Sequence, residues 1–484
     1  MNAPVLLVNP RLATVSTTPF FVMPVGLLSL AAYLREAGIR VHCLDLNVAA
    51  RRRAGGCDTD PSAALERALG GHGLKLVGAS VMVGGQLGLA REVARSAKAL
   101  LGDVVTVLGG AHVSQVPRQV LEGCPEVDFV VMGEGERQLL ACARFALTGE
   151  NPCEWPDGLA YRSDGETIVG PKVSYLQDLD SLPLPAYDLL TFRDYLHDTS
   201  TWHNPHQVEL GVRVPIITSR GCPNLCNFCS VAGCMGQVHR PISATSIVDM
   251  MQRINEIHGA HYFAIFDANF AANPRRVLDM CAEINKRDLR FQIDIPTGLP
   301  VNVAASEMID ALAEVGLIRT CVSVESGDAG IRNRVMKKGI EQDQILEVVA
   351  AVRRHPQVFL LTDFVLGMPE DTEESLEASC RLIGELDTDD VALSIATPYP
   401  GTPLYRQCER DGLFMDDVDP QQLYAADWYT HANMKRFTIK PYRLDLHTLC
   451  HYRDRILDSR KEKISLYHER MRTVFGVESQ YGRR

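Results

Sequence analysis

Three cysteines, Cys222, Cys226 and Cys229, stand in the stretch "SRGCPNLCNFCS" at spacings of four and three. A structural zinc site wants four closed ligands, usually as two C-x2-C pairs, and Cys234 follows at a spacing that matches no common zinc knuckle. Three thiolates can instead hold a cubane [4Fe–4S] cluster and leave one iron without a protein ligand. An open iron can bind and activate a small molecule, whereas a fully ligated cluster mostly transfers electrons. The missing fourth ligand is then the functional feature. Gly221 and Pro223 suit a tight loop around such a cluster, and Phe228 supplies an apolar wall that excludes water and tunes potential. The other eleven cysteines are scattered without a common spacing and read as reduced core thiols.

Elements able to position that loop recur along the chain. At 484 residues, with 46% hydrophobic and 23% charged residues, the chain is long enough for two or three domains. Residues 1–148 alternate strand and helix: "APVLLVNP", "RVHCLDLN", "LKLVGASVMV", "VVTVLGG" and "VDFVVMGEGE" read as strands. "PVGLLSLAAYLREAG" reads as a helix with Leu27, Leu30, Ala31 and Leu34 on one face and Gly38 as its stop. This pattern predicts an α/β, doubly wound, Rossmann-like parallel sheet whose ligands sit beyond the carboxyl ends of the strands. Residues 149–210 read as a connector containing a hairpin turned by Asp-Gly.

A second alternating series occupies 211–410, with strands "VPIITS", "YFAIFDA", "FQIDIP", "TCVSVES", "FLLTDFVLG" and "VALSIATPY". Helices such as "SIVDMMQRINEIHG" (Ile247, Met250, Met251, Ile254) and "SEMIDALAEVG" (Met308, Leu312, Val315) separate them. Six strands that each feed a helix predict a partial (β/α)6 barrel with its chemistry at the carboxyl ends, and the cysteine stretch follows the first strand. The tail, 411–484, is partly helical, with Leu446, Leu449, Tyr452 and Ile456 at near-helical spacing, and is expected to pack on the barrel.

C-x3-C-x2-C with an aromatic before the third Cys, after the first strand of such a barrel, resembles the signature of the radical S-adenosylmethionine (radical SAM) enzymes. The resemblance implies that SAM's amino and carboxylate groups chelate the open iron, and that an electron from the cluster splits the sulfonium to give a 5′-deoxyadenosyl radical. It implies metal ligation by Cys222, Cys226 and Cys229. Asp267 and Asn269 of "FDANF" stand where the family contacts the methionine amino group, although the frequent G-G-E is absent. Ser323 and Glu325 of "SVES" stand where ribose and carboxylate contacts arise. Gly367 and Pro369 of "LGMPEDT" resemble the glycine motif beside the adenosine, and "TPYPGTPLY" the adenine-side segment.

The first 145 residues resemble the cobalamin-binding domain that precedes the barrel in one subfamily. Gly109 and Gly110 would let backbone approach a nucleotide tail closely. Ser80 with Val81, Met82 and Val83 would floor a corrin ring, and Glu134 of "GEGE", at the same edge, would contact the cofactor. No D-x-H-x-x-G occurs, so a bound cobalt would have no imidazole beneath it; His112 reads as a polar contact in the glycine loop.

With both cofactors the resemblance implies methylation of an unactivated carbon in a small molecule, natural-product-like or an amino sugar, within a dry cavity between the domains. Diol dehydration or deoxygenation, cyclisation and ring contraction are the alternatives if the cobalamin pocket is empty; a cobalamin- or redox-sensing module and a zinc scaffold are the non-enzymatic ones. Cys321, Glu325 and Asp294 are catalytic candidates: a barrel thiol could return a hydrogen atom, and Asp294 or Asp363 could hold a cationic substrate. His203, His206, Tyr429 and His431 could line a cavity mouth. A reduced flavodoxin or ferredoxin is the expected electron donor. The net charge of −11 argues against nucleic acid as partner. No apolar run is long enough to span a bilayer and no signal peptide is evident, so a cytoplasmic protein is expected.

Overall fold

The computed structural model describes residues 5–11, 22–54, 60–70, 73–196, 203–419, 436–479 and 481. Tyr429, His431 and Leu12 of "NPRL" lie outside the described residues. The chain forms two compact units. The first gathers the described residues of Met1–Tyr195 and Gly233–Gly236 with Asp419; the second takes the described residues of Leu196–Ala232, Gln237–Val418 and His431–Arg484.

In the first unit, β1 (Val5–Asn9), β2 (Val41–Asp45), β3 (Leu76–Ser80), β4 (Val105–Gly109) and β5 (Phe129–Val131) pair in parallel in the order β2-β1-β3-β4-β5. These strands are apolar on both faces because helices cover both. Leu6, Val8 and Val77 face one core, whereas Val5, Leu7 and Leu76 face the other. The helix Val25–Glu36 buries Leu27, Leu28, Ala31, Ala32 and Leu34, so the expected stripe is present, with Leu30 only partly buried. The hairpin assigned to the connector is instead the edge of this sheet. Its strands β6 (Leu159–Ser163) and β7 (Glu166–Val169) add antiparallel to β5, because alternating residues such as Leu159 and Tyr161 can cover Phe129 and Trp155.

The second unit holds β8 (Arg213–Ile216) and, after a short antiparallel ribbon of β9 (Ser219–Arg220) with β10 (Arg240–Pro241), β11 (Tyr262–Ile265), β12 (Gln292–Ile295), β13 (Leu317–Glu325), β14 (Phe359–Leu366) and β15 (Asp390–Ile395). The six main strands are parallel and in sequence order, β8-β11-β12-β13-β14-β15, the open barrel expected. Its helices start on side-chain caps: Ser243, Asn273, Thr372 and Thr402 each accept the N–H three residues on. The tail helix Leu446–Phe475 packs along β15 and the helix Glu373–Glu385, burying Leu449, Tyr452, Ile456, Tyr467 and Met471, while Leu446 points to solvent. Its end, with Tyr467, Met471 and Tyr481, covers Phe359 at the start of β14. His203 belongs to this plug and not to a cavity mouth. Its ring contacts Tyr467 Oη at 2.9 Å and Gln357 O at 2.5 Å, and burial lowers its pKa to about 4. His206 packs edge-on to Phe475.

Candidate functional site

The cysteine loop hangs from the end of β8, and one buried acid holds it there. Asp267, just past β11, accepts Thr218 N–H, Thr218 Oγ1–H and Ser219 Oγ–H, each at 2.6 Å. Arg276, from the helix Pro274–Lys286, donates to Thr218 O at 2.9 Å and Phe270 O at 2.7 Å and lies 3.7 Å from Asp267. Burial raises the Asp267 pKa, and these donors and the guanidinium work against it. Both Asp267 oxygens thus accept from the segment that launches the cysteine loop, which ties the loop to the end of β11. Sequence pattern alone could not reveal this, nor the part played by Arg276.

Asn269 behaves differently. Its Nδ2 lies 3.9 Å from Cys222 Sγ, and its Oδ1 is buried with no hydrogen-bond partner. A buried amide oxygen left open costs about 1–3 kcal/mol, which a bound donor would recover. Across from it, β13 ends on Glu325 with φ 68°, left-handed for a residue with a Cβ, after a register slip between Ser323 and Glu325. Such strain persists where surroundings over-determine it, commonly at ligand sites. Glu325 accepts Lys338 Nζ at 3.0 Å. Burial opposes the Lys338 charge, but Glu325 and Cys226 outweigh it and raise the lysine's pKa. Asn269, Ser323, Lys338 and Asn224 line a cavity of about 80 Å³ beside the cysteines. Lys338 was missed in the sequence because "VMKKG" reads as a solvated basic turn.

Burial pushes the Cys226 thiol to about 11 and raises that of Cys229, while the Lys338 cation pulls both down. Metal ligation replaces those protons. Among the described residues no three His, Cys, Asp or Glu side chains converge on a single metal point. A cubane does not ask for that, because each cysteine binds a different iron and the thiols must stand apart. Cys234 does not complete a zinc set. Its buried sulfur takes Gln115 Nε2–H at 2.9 Å and faces Ala111 O at 3.4 Å.

Asp294 is corrected from a catalytic to a structural role. It sits in a buried cluster with Arg213 (Nε at 2.7 Å), Arg319 (3.7 Å) and Tyr262 (3.4 Å), near the starts of β8 and β11 and away from the cysteines. Cys321 and Ser323 do share a face, and both donate to Asp363 Oδ2, at 2.8 and 3.1 Å. Burial and then Glu325 raise the Asp363 pKa to about 6, and burial raises the Cys321 thiol well above its usual value. Gly367 has φ 92°, and its N–H, with that of Met368, donates to buried Asp371 at 3.0 and 2.9 Å; Pro369 O accepts Tyr442 N–H.

In the first unit, Ser80 is half-buried at the end of β3 and Met82 is 49% exposed beyond it. Gln86 fixes this turn, accepting Met82 N–H at 2.9 Å and donating to Pro10 O at 3.1 Å. An exposed methionine with a small residue behind it suits the flat apolar ring of cobalamin. Val81 is buried and floors nothing. A Cβ on Gly110 would stand 2.6 Å from Val81 O, so this glycine serves the close approach of two strand ends and not that of a ligand; on Gly109 a Cβ would make ordinary contact. Glu134 is likewise corrected: its carboxylate accepts Leu176 N–H at 2.8 Å and its carbonyl Lys172 Nζ at 3.1 Å. His112 is buried in the turn, its N–H on Val81 O.

Comparison with known proteins follows these divisions. A B12 binding domain profile matches residues 11–143 and a radical SAM superfamily profile matches 216–383. An uncharacterized methyltransferase of Pyrococcus horikoshii is 30% identical over 326 residues, 67% of this chain and 68% of the relative. Cytidylyl-2-hydroxyethylphosphonate methyltransferase of Streptomyces wedmorensis is 26% identical, covering 86% and 83%. The fold is similar to that of TsrM from Kitasatospora setae, a radical SAM methyltransferase solved with cobalamin and a [4Fe–4S] cluster. The TM-score is 0.72 at 19% identity, over 94% of this chain and 91% of that one. Among the described residues no helix is long and apolar enough to cross a membrane. The chain belongs to the cobalamin-dependent radical SAM enzymes, whose cofactors are a [4Fe–4S] cluster, SAM and cobalamin.

Proposed function

We propose that this enzyme transfers a methyl group to an unactivated carbon of a small molecule. The carrying observation is the presence, in one chain, of a B12-binding sheet and a three-thiol loop, with the next cysteine of the sequence, Cys234, engaged by Gln115. The methyltransferase names of the relatives support the same reading. Bound there, the cluster and SAM would supply a radical able to open a C–H bond, and cobalamin would supply the methyl group.

The chain's own residues have distinct tasks in this reading. The open Oδ1 of Asn269 accepts from the amino group of SAM and Lys338 meets its carboxylate, while Ser323, whose hydroxyl donates to Asp363, lines the same cavity. Glu325 holds Lys338 charged and in place. Asp267 and Arg276 fix the loop's root so the thiols keep their geometry. Cys321, whose thiol donates to Asp363, would return a hydrogen atom to a product radical in this reading. Gly367 and Pro369 shape the adenosine side, and Ser80 and Met82 face the corrin.

The test is anaerobic reconstitution with iron, sulfide and cobalamin, followed by reduction with methyl-deuterated SAM and candidate small molecules. Formation of both S-adenosylhomocysteine and 5′-deoxyadenosine, with label in the product, is expected. Only 5′-deoxyadenosine, with no S-adenosylhomocysteine from a corrin-loaded enzyme, would overturn methylation in favour of a radical rearrangement or dehydration.

A further inference from the structure

The barrel unit has a second opening beside the cysteine loop, about 810 Å³ in volume. Asn227, between Cys226 and Phe228, lines it, and the Asn227 Oδ1 is buried without a hydrogen-bond partner. The backbone of Asn227 is fastened to two walls. Its N–H donates to Met336 O at 3.2 Å and its carbonyl accepts Leu404 N–H at 3.0 Å. One wall is the π-helical turn Gly330–Val335 with the residues after it; the other is the helix Pro403–Asp411.

These walls reverse the sign of a chain whose net charge is −11. Arg334, Lys337, Arg410 and Arg443 line the opening against Asp328 and Glu370. Asp328 accepts Ile331 N–H at 2.8 Å, Glu370 accepts Gln407 at 2.6 Å, and Arg410 is paired with Asp411. Arg334 and Lys337 are exposed and join no ion pair among the described residues. Lys337 has φ 61°, and this left-handed kink sends two consecutive lysines opposite ways, Lys338 inward to Glu325 and Lys337 to solvent. In the cysteine loop itself, Leu225, two residues before Asn227, is 54% exposed.

We propose that this basic opening is the docking surface for a small acidic one-electron carrier protein. This inference rests on the radical SAM reading of the cysteine loop. One electron leaves the reduced carrier for the cluster and no atom or proton changes place. Asn227 puts the docking surface next to a cluster ligand in the chain, so the path between the two redox groups is short. Redox encounters bury little area and rely on charge complementarity, which steers association and fades with salt. A basic rim on an otherwise acidic protein selects an acidic partner and orients it at this one place.

The experiment uses reconstituted holoenzyme with reduced flavodoxin as the probe and dithionite as a small-molecule control. Binding of flavodoxin is read by titration calorimetry at several salt concentrations, and electron transfer by 5′-deoxyadenosine release. The double variant R334E/K337E is expected to weaken flavodoxin binding at least tenfold, to flatten its salt dependence and to slow flavodoxin-driven cleavage in proportion. Dithionite-driven cleavage should stay at the wild-type rate. Unchanged flavodoxin affinity and salt slope would overturn the docking surface, as would an equal loss with dithionite, which would place the effect on the cysteine loop. If wild-type enzyme cleaved no SAM even with dithionite, the radical SAM reading itself would fail instead. R443E, at another edge of the opening, should repeat the effect.

Discussion

Asp267 and Asp294 are both buried acids of one barrel, each beside an arginine, yet they serve opposite ends. Asp294 ties Arg213, Arg319 and Tyr262 together near the strand starts, where the tail helix also closes the barrel. Asp267 is surrounded by hydroxyls and N–H groups of the segment that launches the cysteine loop. The first end is closed by its own charges. The second leaves Asn269 Oδ1 open and strains Glu325 backbone around a small polar cavity. The acid at the strand starts is therefore engaged through Oδ2 by arginines and a tyrosine, with its Oδ1 buried among them, whereas at the strand ends the open amide oxygen of Asn269 lines a cavity.

Five substitutions can break or sharpen this contrast. The largest effect is expected from Cys226→Ala, which should lower SAM cleavage at least ~1000-fold, with iron loss measured by metal analysis; Cys234→Ser should retain cleavage. Asp294→Asn should cost about 3–5 kcal/mol of stability by stranding buried arginines, seen as a lower Tm, while turnover per folded enzyme is kept. If turnover fell with unchanged Tm, the assignment of Asp294 to structure would be wrong. Lys338→Met should raise the KM for SAM about 10- to 100-fold, with a smaller fall in Tm because the Lys338–Glu325 pair is not fully buried.

The smallest effect concerns pH. A carboxyl has an ordinary pKa of about 4, and Asp363 is raised to about 6, so between those values the folded state holds more proton than the unfolded. Its contribution is fully present below about 4 and is lost as pH rises through about 6. Asp363→Asn should remove that slope, about 3 kcal/mol, from denaturant titrations across the window. An unchanged slope would mean that Asp363 is not perturbed.

The sequence showed the strands, their order and the three cysteines well, because strand alternation and a tight cysteine spacing are local signals. It failed where the answer depended on depth along a strand or on a distant partner. Period-two alternation puts Asp294 inside the barrel but does not say at which end. Lys337 and Lys338 look alike in "VMKKG", and only the backbone at Lys337 decides which turns inward. Glu134 lay at a strand end as expected, but a backbone N–H at Leu176 already occupied it. The hairpin was legible as a hairpin, and its attachment to β5 was not, because pairing along an exposed edge leaves no local mark.

The most direct test of the account is electron–nuclear double resonance on the reduced holoenzyme with SAM labelled by nitrogen-15 at the amino group and oxygen-17 at the carboxylate. Hyperfine coupling from both labels to the cluster is expected, weakened or lost in Lys338→Met. Absence of any coupling in active wild-type enzyme would show that no metal corner is left open to SAM, and would contradict the three-thiol reading.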